Sequence, residues 1–190
     1  MSGSFFPMIA RMRYINRWGL MRNTDVENIQ EHSHMVAVLS HALAVIQNRY
    51  FGPQIDPGQA AVAALYHDAS EILTGDMPTP IKYDNPAIRK AYKDVEAVAE
   101  EKLLHMLPQE FRPVYALILH PDAETEQLVK AADKLSAYIK CVEELKAGNN
   151  EFREAAAQTR TALEDYGLPE AAYFLETFLP SFSLTLDELK

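Results

Sequence analysis

Helix-start signals recur along this chain with nothing between them that would turn a strand, and that succession limits the fold more than any other feature. Asn28 is followed three residues later by Glu31, a reciprocal capping pair, ahead of Met35, Leu39, Leu43 and Ile46 at helical spacing. Asp56-Pro57 places a side-chain cap before a proline at the first helical position and predicts a helix to about Leu73. Asn85-Pro86 repeats the signal for a helix ending near Leu107. Further helices are predicted over Ser4 to Arg13, Pro108 to His120, Glu124 to Ala147, Glu151 to Tyr166 and Pro169 to Leu179, with Gly148 as a left-handed stop after the one that ends at Ala147. No stretch alternates at period two beside a hairpin turn, so no sheet is expected. The expectation is a compact all-α helical bundle forming one domain over residues 1–190.

A chain of 190 residues with 48% hydrophobic and 24% charged residues can bury a substantial core. Its net charge of −9 argues against a broad nucleic-acid or anionic-membrane surface, neither of which would be attracted to it. A phosphorylated small molecule stays open, since a local cation overrules the global field. The single Cys141 rules out an internal disulfide and fits a reducing compartment. There is neither an apolar run of transmembrane length nor the apolar core of a signal peptide, so the expected location is the cytoplasm.

Four polar residues sit where a helical bundle should be apolar. His32 shares the stripe of Met35, Leu39 and Ile46 and faces inward. His67-Asp68 ends the small-residue run Ala60-Ala61-Val62-Ala63-Ala64-Leu65-Tyr66, which lets neighbouring helices approach closely. Asp133 interrupts Leu128 to Ser136, although aspartate is a poor mid-helix residue. Each alone has a bland explanation: a hydrogen-bonded core histidine for His32, a pairing with Lys130 or Lys134 for Asp133. Together they are costly unless coordinated, because buried charges cost several kcal/mol apiece when unpaired. Two imidazoles and two carboxylates suit Mn, Co, Fe, Zn or Mg and suit copper(I) poorly. His34 and His41 lie on another stripe and read as structural or surface residues. Two irregular loops, Asn16 to Val26 with the only tryptophan and Thr74 to Asp84 with two prolines, are natural places for function.

His32, His67-Asp68 and Asp133 reproduce the H…HD…D pattern, and the chain resembles the HD-domain metal-dependent phosphohydrolases. Ile15-Asn16-Arg17-Trp18, Glu27 to Ser33, Tyr66 to Glu71, Leu73 to Tyr83 and Ala147 to Phe152 make it similar to the bacterial 5′-deoxynucleotidases of the YfbR type. The likeness runs from about Phe5 to Glu188; the segment from Phe111 to Glu126 matches less well, and nothing is carried over there. It implies an HD-domain bundle that removes the 5′-phosphate from deoxyribonucleoside monophosphates, acting as a cytoplasmic homodimer. It implies one divalent ion per subunit, such as cobalt or manganese, on His32, His67, Asp68 and Asp133. It also implies substrate contacts from Arg17, Trp18, Asp76, Met77, Pro78 and Thr79, with His32, Asp68 and Asp133 bordering the substrate as well as the ion.

Such an ion lowers the pKa of a water and polarises a phosphoryl oxygen. Glu71, four residues after His67 and three after Asp68, lies one helical turn away on the same face, placed for general acid–base catalysis; the alternative is a surface carboxylate pairing with a distant lysine. Arg17 offers a planar fork for two phosphate oxygens and for orienting the reacting phosphate. Trp18 is either a wall against the ribose C2′ face that rejects a 2′-hydroxyl or a core anchor for its loop. Asp76 is either a sugar-hydroxyl acceptor or a turn cap, and Thr79 a phosphate donor. No phosphate-cradling glycine loop occurs, so direct water attack is preferred to covalent catalysis. Two other readings stand beside this one: a nucleotide-sensing module without turnover, which would have no use for Glu71, and a hydrolase of another phosphorylated substrate, which would want a second basic cluster.

Overall fold

In the computed structural model the chain is described over residues 3–52, 54–82 and 85–189, except for the side chains of residues 79 and 80. Three helices form the centre: α2 (Ile29–Tyr50), α3 (Pro57–Tyr66) and α8 (Ala123–Lys146), all mutually in contact. Before them comes the short α1 (Phe5–Ile9); between α3 and α8 lie α4 (Glu71–Thr74), α5 (Thr79–Lys82), α6 (Pro86–His105) and α7 (Arg112–Leu119). After α8, α9 (Arg153–Glu164) packs on α8 and α10 (Pro169–Thr177) on α2. The only β feature among the described residues is an isolated antiparallel bridge between Asn16 and Asn28. No described helix is long and apolar enough to cross a membrane.

The starts follow from local chemistry. Asn28 accepts from the backbone N–H of Gln30 and Glu31 at 3.0 Å each, and Glu31 returns the bond to Asn28 N–H at 3.2 Å. Asp56 caps α3 from Gly58 and Gln59, and Asn85 caps α6 from Ile88. At the end of α8, Gly148 takes φ +87° and donates to the Leu145 carbonyl while Asn149 donates to that of Glu144, a paired stop that only a left-handed residue permits.

The core divides in two. The larger part packs Leu39, Leu43, Leu128 and Leu135 between α2, α3 and α8, and a smaller cluster gathers Phe5, Ala69, Leu103 and Leu107 around α1 and α6. His32 is fully buried between α2 and α8, whereas His34 and His41 are exposed, as their stripe predicts.

Two elements depart from the sequence expectation. The helix predicted to reach Leu73 stops at Tyr66. The Ala64 carbonyl, which a continuing helix would give to the Asp68 N–H, instead meets His67 Nδ1 at 2.7 Å and accepts the His67 N–H at 3.4 Å. The chain then closes three-residue turns, Ala69 N–H to the Tyr66 carbonyl and Glu71 N–H to that of Asp68, before α4 begins. Secondly, among the described residues the loop expected from Thr74 to Asp84 is irregular only over 75–78, because the Pro78 carbonyl receives the Ile81 and Lys82 N–H groups and opens α5. Residues 83 and 84 lie outside the described residues.

Candidate active site

The polar residues meet at one end of the central helices. α2 supplies His32, the turn after α3 supplies His67 and Asp68, α8 supplies Asp133, and the segment before α2 supplies Arg17. One ligand-type atom from each of His32, His67 and Asp68 lies within 4.8 Å of the others. Asp133 joins through His32, with Oδ1 3.0 Å from His32 Nε2, and its Oδ2 accepts from Lys134 at 2.9 Å. The lysine pairing and the convergence on His32 therefore coexist. The His32 and His67 rings are 5.3 Å apart, centre to centre.

The electrostatics define what this arrangement can hold. His67 uses Nδ1 on the Ala64 carbonyl, which leaves Nε2 buried, 3.2 Å from Asp68 Oδ2 and out of hydrogen-bond alignment. His32 sits with Nε2 3.7 Å from the same oxygen while Ser136 Oγ contacts its Nδ1 at 3.3 Å. Lone pairs and carboxylates thus face one another across a small space, an arrangement that a divalent ion of the N,O-binding kind relieves. The donor set fits such an ion. Burial lowers the His32 pKa, with the Arg17 charge adding to it, so this imidazole is neutral and able to ligate. Burial also works against a proton on His67, but the Asp68 carboxylate outweighs it and the net direction is upward. Burial raises Asp68 and Asp133, yet His67, His32 and Arg17 for the first, and Lys134, His32 and Arg17 for the second, hold both well below the usual carboxylate range.

Glu71 behaves in the opposite way. Its carboxyl is buried, Oε2 has no hydrogen-bond partner, and burial together with the charges of Asp68 and Asp76 pushes its pKa up to about 9. It reaches the cluster across the turn rather than along a helix face, which corrects the helical spacing argument while keeping the residue at the site. The surface-carboxylate alternative is excluded by its burial. Asp76 is half-buried and its pKa is also raised, chiefly by burial, with Arg17 opposing. Met77 and Pro78 are half-buried in the same segment, and Gly75 enters it at φ +74° after donating to the Glu71 carbonyl. The Thr79 side chain lies outside the described residues.

Arg17 donates from Nη1 to Asp68 Oδ2 at 3.2 Å, and Nη2 lies 3.9 Å from Asp133 Oδ1. Trp18 is partly buried with its ring 5.3 Å from that of Phe152, so the anchoring role is real. Two residues without a role in the sequence reading also belong here: Ser136, on the far nitrogen of His32, and Glu27, which contacts both Arg17 and Trp18. For Ser136 the signal was its position one turn after Asp133 on α8. For Glu27 none was legible, because the Asn16–Asn28 bridge that folds it back is non-local. A separate cavity of about 790 Å³ is lined by Val26, Met35, Ile139, Lys140 and Phe182, and touches this site only through Glu27 and Ser136.

Comparisons with known proteins place the sequence and the fold. The family model described as 5′-deoxynucleotidase YfbR-like matches residues 4–182. The 5′-deoxynucleotidase VP0926 of Vibrio parahaemolyticus is 52% identical over 188 residues, 97% of each chain. An HD-domain phosphohydrolase from Listeria innocua shares the fold at TM-score 0.81 and 23% identity, over 94% of this chain and 88% of its own. The cyanophage S-2L HD phosphohydrolase, solved with dA and one catalytic Zn2+ ion, has TM-score 0.65 and 24% identity, over 95% of this chain and 99% of its own. With the family model spanning almost the entire sequence, this chain belongs to the 5′-deoxynucleotidase YfbR-like family.

Proposed function

We propose that this protein is a metal-dependent 5′-deoxynucleotidase that releases phosphate from deoxyribonucleoside 5′-monophosphates. The observation that carries the reading is the convergence of acceptors His32, His67 and Asp68 beside the Arg17 guanidinium and the buried Glu71 carboxyl. One divalent ion, held by His32, His67, Asp68 and Asp133, would activate the attacking water and polarise the phosphoryl group. Arg17 turns its terminal nitrogens toward the cluster and binds phosphate oxygens there, aligning the phosphorus for direct attack. Glu71, protonated at neutral pH, gives its proton to the leaving 5′-oxygen. Asp76 accepts from a sugar hydroxyl, Met77 and Pro78 line the same wall, Thr79 contacts phosphate, and Trp18 closes the C2′ side against ribonucleotides.

One domain over residues 1–190 performs this, in the cytoplasm, as a homodimer and without a nucleic-acid partner. The net charge of −9 and the lone, buried Cys141 thiol support the location and the absence of nucleic acid. The test is phosphate release from the full set of deoxyribo- and ribonucleoside monophosphates with Mn2+, Co2+, Zn2+ or Mg2+ added after chelation. The expected result is metal-dependent turnover with deoxyribonucleotides preferred; metal-independent or absent turnover refutes it. Trp18→Ala should narrow the dAMP-to-AMP ratio, while Arg17→Ala should weaken both substrates alike.

A further inference from the structure

We propose that Glu27 is a positioning residue that sets Arg17 and Trp18 as one unit, so that sugar selection and phosphate alignment depend on a single carboxylate. The inference rests on the nucleotidase reading above and adds the device that organises its substrate side.

Glu27 Oε2 accepts from Arg17 Nε at 3.2 Å and from Trp18 Nε1 at 3.3 Å. The same residue's carbonyl accepts the Arg17 backbone N–H at 2.9 Å. Arg17 is therefore held by main chain and side chain together. The choice of atom matters. With Nε engaged by Glu27, the two terminal nitrogens are left pointing at Asp68 and Asp133, where a phosphate bound to the cluster would lie. Among the carboxylates within 4 Å of this guanidinium in the described residues, Glu27 alone lies outside the H…HD…D set. It is thus the one that can hold Arg17 without drawing it from the substrate.

Trp18 needs holding for a separate reason. Its φ of +57° is the only positive value among the described non-glycine residues, and a bulky side chain adopts that region only where its surroundings compel it. The Phe152 ring restrains one part of the indole, and the Glu27 carboxylate fixes its N–H. Glu27 is itself anchored. Its neighbours Thr24 and Asp25 donate their N–H groups to the buried Glu144 of α8, at 3.0 and 3.2 Å. Glu27 Oε1 is 4.0 Å from His32 Nδ1, farther than Ser136 Oγ at 3.3 Å, so His32 keeps Ser136 on Nδ1 and Asp133 on Nε2 if Glu27 is changed.

Trp18 is the sole tryptophan, so its fluorescence reports on the indole independently of turnover. Glu27→Ala and Glu27→Gln should retain Mn2+ binding and a folded far-UV spectrum. In Glu27→Ala the fast component of Trp18 anisotropy decay should grow, and the dAMP-to-AMP ratio of kcat/KM should fall by about 10- to 100-fold, the scale of a misplaced reacting group. Glu27→Gln, which keeps an oxygen for the indole but loses the charge on Arg17, should preserve the anisotropy while raising KM for both nucleotides. Equal loss of dAMP and AMP turnover with an unchanged ratio and unchanged anisotropy would show Glu27 to be merely structural and overturn the proposal. If wild type released no phosphate from any nucleotide, the nucleotidase reading would fall, and the anisotropy comparison would decide by itself whether Glu27 fixes the indole.

Discussion

A buried carboxyl oxygen without a hydrogen-bond partner costs free energy, and Glu71 Oε2 is in that position. Its folded-state pKa of about 9 lies above the ordinary 4.5. The sign follows from linkage: the stability tied to protonated Glu71 is fully present below the unfolded value and is lost as pH rises through the folded one. Glu71→Gln should therefore gain in melting temperature over wild type as pH climbs from about 5 to 9, measured with chelator present. The same variant should lose about 10²- to 10⁴-fold in kcat while still binding metal, as removal of a general acid requires. A stability gap that stays flat with pH would mean that Glu71 is charged in the folded protein. His67→Ala and Asp68→Ala address the other half of the site. Each should abolish bound metal and turnover without unfolding the chain, since both side chains lie at the edge of the core rather than in it. Full metal occupancy and turnover in either variant would remove that residue from the ligand set.

Elements position these residues through two devices of different legibility. The caps at Asn28, Asp56 and Asn85 were readable because each is decided within three residues by one side chain and the amides beside it. The end of α3 was not, because periodicity continues through Leu73 while a histidine ring removes the carbonyl on which the next turn depends. The ligand pattern survived that error, since His67 and Asp68 are adjacent and move together. The second device is the strap over residues 17–28, closed by its bridge and pinned to α8 by Glu144 across 120 residues of sequence. Glu144 accepts from Thr24 Oγ1 at 2.6 Å, Lys140 Nζ at 2.6 Å and Asn149 Nδ2 at 2.8 Å. Burial raises its pKa, but these donors more than reverse the effect and hold it far below the usual carboxylate range. No local pattern announces such a contact, which is why Glu27 and Glu144 escaped the sequence reading. Glu144→Ala should cost about 3–5 kcal/mol, because it leaves the Lys140 ammonium buried with the Asp25 carbonyl but without its paired carboxylate. Urea denaturation measures this, and a loss below about 1 kcal/mol, the level of an exposed pair, would contradict it.

At the scale of the whole molecule, self-association needs an apolar face that the chain does not cover itself. The C-terminal aromatics Tyr173, Phe174 and Phe182 pack largely within the chain, while Phe178 stays 45% exposed. Tyr173 stacks on Tyr50 at 5.1 Å, Phe174 and Phe178 lie 5.2 Å apart, and Phe182 packs on the main core. Among the exposed apolar side chains, those on α7 and its approach form one stripe, where Phe111, Val114 and Leu117 are 52%, 58% and 74% exposed at three-residue spacing. Val62 and Leu65 are exposed on α3, which packs against α7, and Phe6 is exposed beside Tyr115. A homodimer needs about 800 Å² per partner, more than one short helix offers, so these neighbouring elements are expected to share the contact. Leu117→Glu places a charge in the middle of the stripe, where burial against a second copy would leave it unpaired. Light scattering at micromolar concentration should give a dimer mass for wild type and a monomer mass for Leu117→Glu, with turnover per subunit retained because α7 supplies none of the proposed site residues. A wild-type monomer would remove the homodimer. A variant that remains dimeric would move the interface off α7, and the exposed stripe would then be ordinary apolar surface of the kind that folded chains carry without consequence.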